Sequence, residues 1–155
     1  MDTLDRKILS VLQRDASLTV TDVAKIVGIS STPCWRRIQK MRDEGVITGS
    51  VALLDGRKIN AGITAFVSVV TASHSGEWLK RFSEVVNDLP EITELYRLSG
   101  NVDYLLKVIV PDIAAYDKFH KRLTERIDIQ SSSPRFAVEQ IKSTTELPLE
   151  YLRIK

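Results

Sequence analysis

The hydrophobic period is helical throughout the first third of this chain and mixed after it, and that difference limits the folds open to it. Up to about residue 45, apolar side chains recur at three- and four-residue spacing: Leu4, Ile8, Leu9 and Leu12, then Val23, Ile26 and Val27, then Cys34, Ile38 and Met41. Such spacing lines one face of a helix. From Ile63 onward, β-branched residues gather in short runs between turn residues, which is the pattern of strands. With 155 residues, the chain has room for one ordinary domain or two small ones in an α+β arrangement.

The helical part carries its own punctuation. Asp15-Ala16-Ser17 breaks the first helix, and Thr19-Val20-Thr21-Asp22 fits a capping box at the start of the second. Gly28 stands where that helix must stop and the chain must turn. Ser30 can cap a third helix, with Pro33 tolerated in its first turn and Asp43-Glu44-Gly45 closing it. Three helices with a tight glycine turn before the last make a helix-turn-helix. In that motif the start of the last helix enters the major groove of DNA. Ser31, Thr32, Trp35, Arg36, Arg37, Gln39 and Lys40 supply the polar, cationic face it needs. Arginine can grip guanine or phosphate, and hydroxyls can bond either. Trp35 borders the apolar stripe, so partial core packing is its favoured role beside DNA contact.

Net charge is +2, which decides little, but its distribution is uneven. Residues 1–60 hold ten Lys+Arg against seven Asp+Glu, whereas residues 61–155 hold twelve against thirteen. Arg36, Arg37, Lys40 and Arg42 follow Ser30 without an intervening acid, a footprint suited to nucleic acid or equally to a solvated helix face.

Several spaced segments resemble the Lrp/AsnC transcription regulators: Leu4-Asp5-Arg6-Lys7-Ile8-Leu9, Val27-Gly28-Ile29-Ser30, Thr32-Pro33-Cys34, Arg36-Arg37 and Glu44-Gly45-Val46-Ile47. The resemblance implies a winged-helix-like DNA-binding domain over residues 1–49. Ile47 to Leu54 would continue as a strand and hinge, with residues 50–61 joining the two domains. Cys34 lies on the core stripe and reads first as a small buried hydrophobe, with a reactive thiol as the minor alternative.

Residues 62–155 spell β-α-β-β-α-β, the ferredoxin-like double unit. Strands are expected over Ile63–Ala72, Ile92–Leu98, Tyr104–Val110 and Arg135–Ile141. Helices are expected around Trp78 to Leu89 and after the capping Asp112. Val67, Val69, Leu106 and Val108 are too apolar for a sheet wet on both faces, so a second copy is expected as cover. The Ser99-Gly100-Asn101-Val102-Asp103-Tyr104 stretch is a hairpin signal, and the residues alone favour a turn whose acid satisfies backbone donors. The same stretch matches the effector signature of the resembled family. That match implies that Ser99, Gly100, Asp103 and Tyr104 border an amino-acid pocket between dimers, with dimers formed sheet to sheet and joined into octamers. Val138-Glu139-Gln140-Ile141-Lys142 matches the family's end pattern. Thr-Pro-Cys-Trp and Thr64-Ala65-Phe66-Val67 resemble the branch that responds to cysteine and controls its breakdown.

Other chemistry finds little support. One cysteine can form neither an internal disulfide nor a cysteine-based zinc cage, and His74 and His120 lack metal-ligand spacing. Ser131-Ser132-Ser133 has no base signature beside it, and neither a nucleophile elbow nor a glycine-rich phosphate loop occurs. Tyr96 and Tyr104 could line a pocket but suit strand packing better. No apolar run approaches a membrane span and no secretory signal opens the chain, so a cytoplasmic protein without cofactor is expected. The leading reading is a sequence-specific DNA-binding regulator whose assembly responds to an amino acid. An effector-independent architectural DNA-binding protein is the alternative, and a small ferredoxin-like enzyme a distant third.

Overall fold

The computed structural model describes residues 1–71 and 73–154, so the expected strand end at Ala72 lies outside the described residues. Two units divide the chain: Met1–Ala52 together with the tail from Ile141, and Leu53–Gln140.

In the first unit, the capping box forms one helix earlier than the sequence suggested. Asp2 accepts from the N–H groups of Leu4 and Asp5 at 2.8 and 2.9 Å, and the Asp5 carboxylate accepts the Asp2 N–H at 2.9 Å. These acids open α1 (Thr3–Leu12), where the helix dipole favours negative charge. At α2 (Val20–Val27) only half of the expected box exists. Thr19 accepts the Asp22 N–H, but the Asp22 carboxylate accepts a hydrogen bond from the Thr19 hydroxyl at 2.5 Å and not from the Thr19 N–H. Gly28 ends α2 at φ 82°, a left-handed conformation that disfavours other residues. Then α3 (Ser31–Asp43) begins after Ser30, whose side chain makes no capping bond. Ile8, Val23, Cys34, Ile38 and Met41 form the buried core of the three helices.

The tail returns to this unit, although residues 62–155 were expected to belong wholly to the second domain. Gln13 donates from Nε2 to the Leu147 carbonyl at 3.1 Å and accepts the Leu147 N–H at 3.0 Å. A primary amide matches both polar groups of an extended backbone, and Leu149 adds apolar cover to the helical core. The segment after Ile47 is a second departure. Among the described residues it holds no strand, and Val51, Leu53 and Leu54 are exposed. An extended segment needs a neighbouring backbone to take its hydrogen bonds, and one chain supplies none here.

The second unit contains β1 (Ile63–Thr71), α4 (Gly76–Asn87), β2 (Ile92–Arg97), β3 (Tyr104–Val110), α5 (Ile113–Arg126) and β4 (Ile129–Phe136). The sheet is antiparallel in the order β2-β3-β1-β4. Side chains alternate between its faces. Ala65, Val67 and Val69 of β1 and Leu106, Val108 and Val110 of β3 pack with Phe82 and Val85 of α4 and with Phe119 and Leu123 of α5. All four strand residues used to argue for a second copy therefore face the protein's own helices. The other face carries the unpaired apolar surface instead: Phe66, 39% exposed, with the partly exposed Val70, Leu105 and Ile109.

The last strand also moves. Alternation suggested Arg135–Ile141, yet β4 runs over Ile129–Phe136 and pairs the serine run with β1, Val69 opposite Ser132 and Ser68 opposite Ser133. Serines complete this edge because β1 needs a ladder partner, not more apolar bulk. The ladder closes with Ala137 N–H donating to the Thr64 carbonyl at 2.9 Å, leaving Val138 and Ile141 exposed.

Candidate DNA-reading face and effector loop

On α3 the buried stripe Cys34, Ile38 and Met41 turns the opposite surface outward. Ser31, Thr32, Trp35, Arg36 and Lys40 are exposed, and Gln39 is partly so. Trp35 is 52% exposed and thus belongs to this outward surface more than to the core, against the favoured sequence reading. Lys40 lies 3.8 Å from Glu44, a weak surface pair on the last turn. The first turn of α3 holds no acid, and with Ser30 uncapped its early N–H groups stay available to an anion. A large planar ring, hydroxyls, a guanidinium and an ammonium on one helix face can grip phosphates and read base edges.

Arg37, expected on that face, is not brought there. Its Nη1 donates to Asp2 Oδ2 at 2.6 Å and to Asp5 Oδ1 at 2.7 Å. Both carboxylates already cap α1, so the guanidinium, 32% exposed, is committed to the start of that helix. Hydrogen bonding to Asp5 and then Asp2 raises the Arg37 pKa above its ordinary value, while Asp2 is held low by the Asp5 backbone N–H and by Arg37. Cys34 is fully buried, and desolvation pushes its thiol pKa up, which disposes of the reactive alternative.

In the second unit, the loop between β2 and β3 leaves Ser99, Gly100 and Asn101 exposed. Gly100 adopts φ 114°, and a Cβ there would meet nothing within 4 Å. Its glycine is required by conformation and not by a close approach within this chain. The Asp103 carboxylate accepts the Thr71 N–H at 2.8 Å through Oδ2. Its own N–H donates to Val69, and its carbonyl accepts from Leu98. Asp103 thus ties the loop to the end of β1, as a turn acid would. Its Oδ1 faces His74 at 4.0 Å. Tyr104 is no loop wall: it is buried against Phe82 and Trp78, with ring centroids 5.0 and 5.8 Å away. Tyr96 is exposed on the uncovered sheet face and donates to Glu94. Lys107 and then Tyr96 hold the Glu94 carboxyl below its usual range.

Two features escaped the sequence reading. Ser132 does have a base beside it, since His120 Nε2 lies 2.7 Å from its hydroxyl, where α5 crosses β4. His120 also stacks on Tyr116, so the contact braces helix to strand. A cavity of about 370 Å³ lies between the end of α4 and the β2 edge, lined by Ser83, Val86, Leu89 and Leu95 among others, away from the Ser99–Tyr104 loop.

Comparison with known proteins fits this division. A winged helix-turn-helix DNA-binding model matches residues 1–48, and an Lrp/AsnC ligand binding domain model matches residues 64–147. The chain belongs to the Lrp/AsnC family. It is similar to the DNA-binding transcriptional activator DecR of Escherichia coli K12, 46% identical over 97% of this chain and 99% of that one. A crystal structure of an AsnC family transcriptional regulator from Agrobacterium tumefaciens is 64% identical, with a TM-score of 0.96 over 99% of this chain and all of the other. A transcriptional regulator from Neisseria meningitidis, solved as an L-Met complex, is 32% identical with a TM-score of 0.94 over 99% of each chain. As an Lrp/AsnC regulator, this chain joins a DNA-binding helix-turn-helix to a ligand-binding ferredoxin-like unit. None of its described helices is long and apolar enough to cross a membrane.

Proposed function

We propose that this Lrp/AsnC regulator senses a free amino acid with a small sulfur-bearing side chain and alters its hold on DNA in response. The observation that carries the ligand class is the kinship, across the full chain, with a regulator solved bound to L-Met. The resemblance of Thr32-Pro33-Cys34-Trp35 and Thr64-Ala65-Phe66-Val67 to the cysteine-responsive branch narrows it. The exposed backbone of Ser99 and Gly100 and the Asp103 Oδ1 that faces His74 offer acceptors to the effector ammonium, whereas Tyr104 acts through packing. On the DNA side, Ser31, Thr32, Trp35, Arg36 and Lys40 contact the duplex.

Two copies cover each other's Phe66, Val70, Leu105 and Ile109, and higher assembly of dimers sets the spacing of the paired reading helices. The protein works by binding and not by catalysis, in the cytoplasm beside its DNA. Thermal shift against all twenty amino acids is the direct test, since ligand binding to the folded state raises its midpoint by mass action. L-Cys or L-Met should give the largest rise and change retention of DNA in a mobility-shift assay. If none of the twenty moves either readout, the effector reading fails and an architectural DNA-binding role stands.

A further inference from the structure

Arg37 sits in the most cationic stretch of α3 yet points away from the outward face. A helix advances roughly 100° per residue, which puts Arg37 about 200° from Trp35 and therefore nearly opposite it. What it meets there is the capping box of α1. Each of the two carboxylates divides its oxygens between two tasks. Asp2 uses Oδ1 to accept the Leu4 and Asp5 N–H groups and Oδ2 to accept Arg37. Asp5 uses Oδ2 for the Asp2 N–H and Oδ1 for Arg37. Two carboxylates held this close repel each other unless a cation lies between them, and Arg37 Nη1 is that cation. The Asp5 side chain is only 12% exposed, so water screens the cluster weakly on that side.

The apolar core already joins α1 to α3 through Ile8, Cys34 and Ile38. Apolar contacts are non-directional and leave the crossing angle soft, whereas a charged bridge with two fixed partners adds a directional second point. We propose that Arg37 is a positioning residue for DNA recognition, locking α3 onto the capped start of α1 so that Ser31, Thr32, Trp35 and Arg36 reach the groove at one angle, without itself touching DNA. This rests on α3 being the DNA-reading helix.

The test uses the full chain and a duplex enriched by the wild-type protein from a random library, with a scrambled duplex of equal length as reference. Substitution R37A leaves two neighbouring carboxylates unneutralised and can unfold the unit, so D5N carries the decision. Asp5 lies behind Arg37 and could only repel a phosphate. If Arg37 positions α3, D5N weakens binding to the enriched duplex by about tenfold, which is about 1.4 kcal/mol. The scrambled duplex is held as before, and the slope of log K against log salt stays at its wild-type value. Where R37A folds, it shows the same loss, and D5N/R37A is no weaker than R37A alone. The proposal is overturned if D5N binds the enriched duplex as well as wild type or better. It is equally overturned if R37A flattens the salt slope by about one unit, the mark of a lost phosphate contact. A wild-type protein that does not prefer the enriched duplex refutes instead the reading of α3 on which the proposal rests.

Discussion

Replacing Asp103 separates its two possible roles because one oxygen is committed and the other is not. Oδ2 accepts the N–H of Thr71, a residue only 4% exposed, at 2.8 Å. Removing the carboxylate in Asp103→Ala strands that donor where little water can replace the lost acceptor. An unsatisfied buried polar group costs about 1–3 kcal/mol. The Asp103 side chain is 24% exposed, so some water reaches the gap and the lower half of that range applies, about 1–2 kcal/mol. For a unit of this size each kcal/mol shifts the midpoint by roughly 4–8 °C, so the loss predicts a fall of roughly 4–16 °C. Asp103→Asn keeps an acceptor of the same shape and exchanges a charge-assisted bond for a neutral one, at about 0.5–1 kcal/mol. Thermal unfolding by circular dichroism, without effector, ranks wild type above Asn above Ala. Titration with the effector is then read on the Asn variant, whose fold is kept while its charge is gone. An Ala variant that melts with wild type, or an Asn variant as unstable as Ala, refutes the bracing role deduced for this carboxylate.

Deleting the tail from residue 143 onward should lower the stability of the helical unit, because it removes the Gln13–Leu147 pair of hydrogen bonds and the Leu149 cover. Limited proteolysis after Arg14 reports the loosening, and unchanged cleavage would refute the tail's structural role. Cys34 should resist thiol reagents in the native protein and react at the rate of a free thiol in denaturant, since its burial and raised pKa both suppress the thiolate. Native labelling at the denatured rate would contradict its burial. Acidification should weaken the uncovered sheet face through Glu94. Its folded pKa is depressed by Lys107, so the stability this gives is present above the unfolded carboxylate pKa and is lost as pH falls through the lower folded value. In Glu94→Gln, the decline below about pH 4 should be shallower than in wild type. An identical acid limb would exclude the pair as a contributor.

Many local patterns were legible, although the Asp2–Asp5 capping box was missed and the expected cap at Ser30 does not form. Gly28 had to end a helix and turn the chain, and its φ of 82° does so. The apolar stripe of α3 and the β-branched runs of β1 and β3 fell on the buried faces that their periods required. The hairpin at Ser99–Asp103 and the cap at Asp112 were equally local. The candidate reading face was legible to the same extent, since the buried stripe fixes which side of α3 turns outward.

Most of what else failed depended on distant partners. The α3 stripe alone turns Arg37 away from Trp35, but only the fold shows what it meets there, two carboxylates 32 and 35 residues away. Asp103 read both as a turn acid and as a ligand contact. Its bond to Thr71 arises because the sheet brings the end of β1 beside the loop. Tyr104 looked like a pocket wall until α4 placed Trp78 and Phe82 over it.

By itself, then, the sequence determined the two unit types, their order and the buried faces of α3, β1 and β3, because periodicity is a property of the local chain. Tertiary structure alone decided which charges are spent inside the protein and which remain for a partner. The same applies to the serine strand β4, chosen as the edge of β1, and to the tail that returned to the helical unit. Hydrogen bonds and ion pairs are short-ranged and directional, so their partners are set by which segments the fold brings together and not by composition.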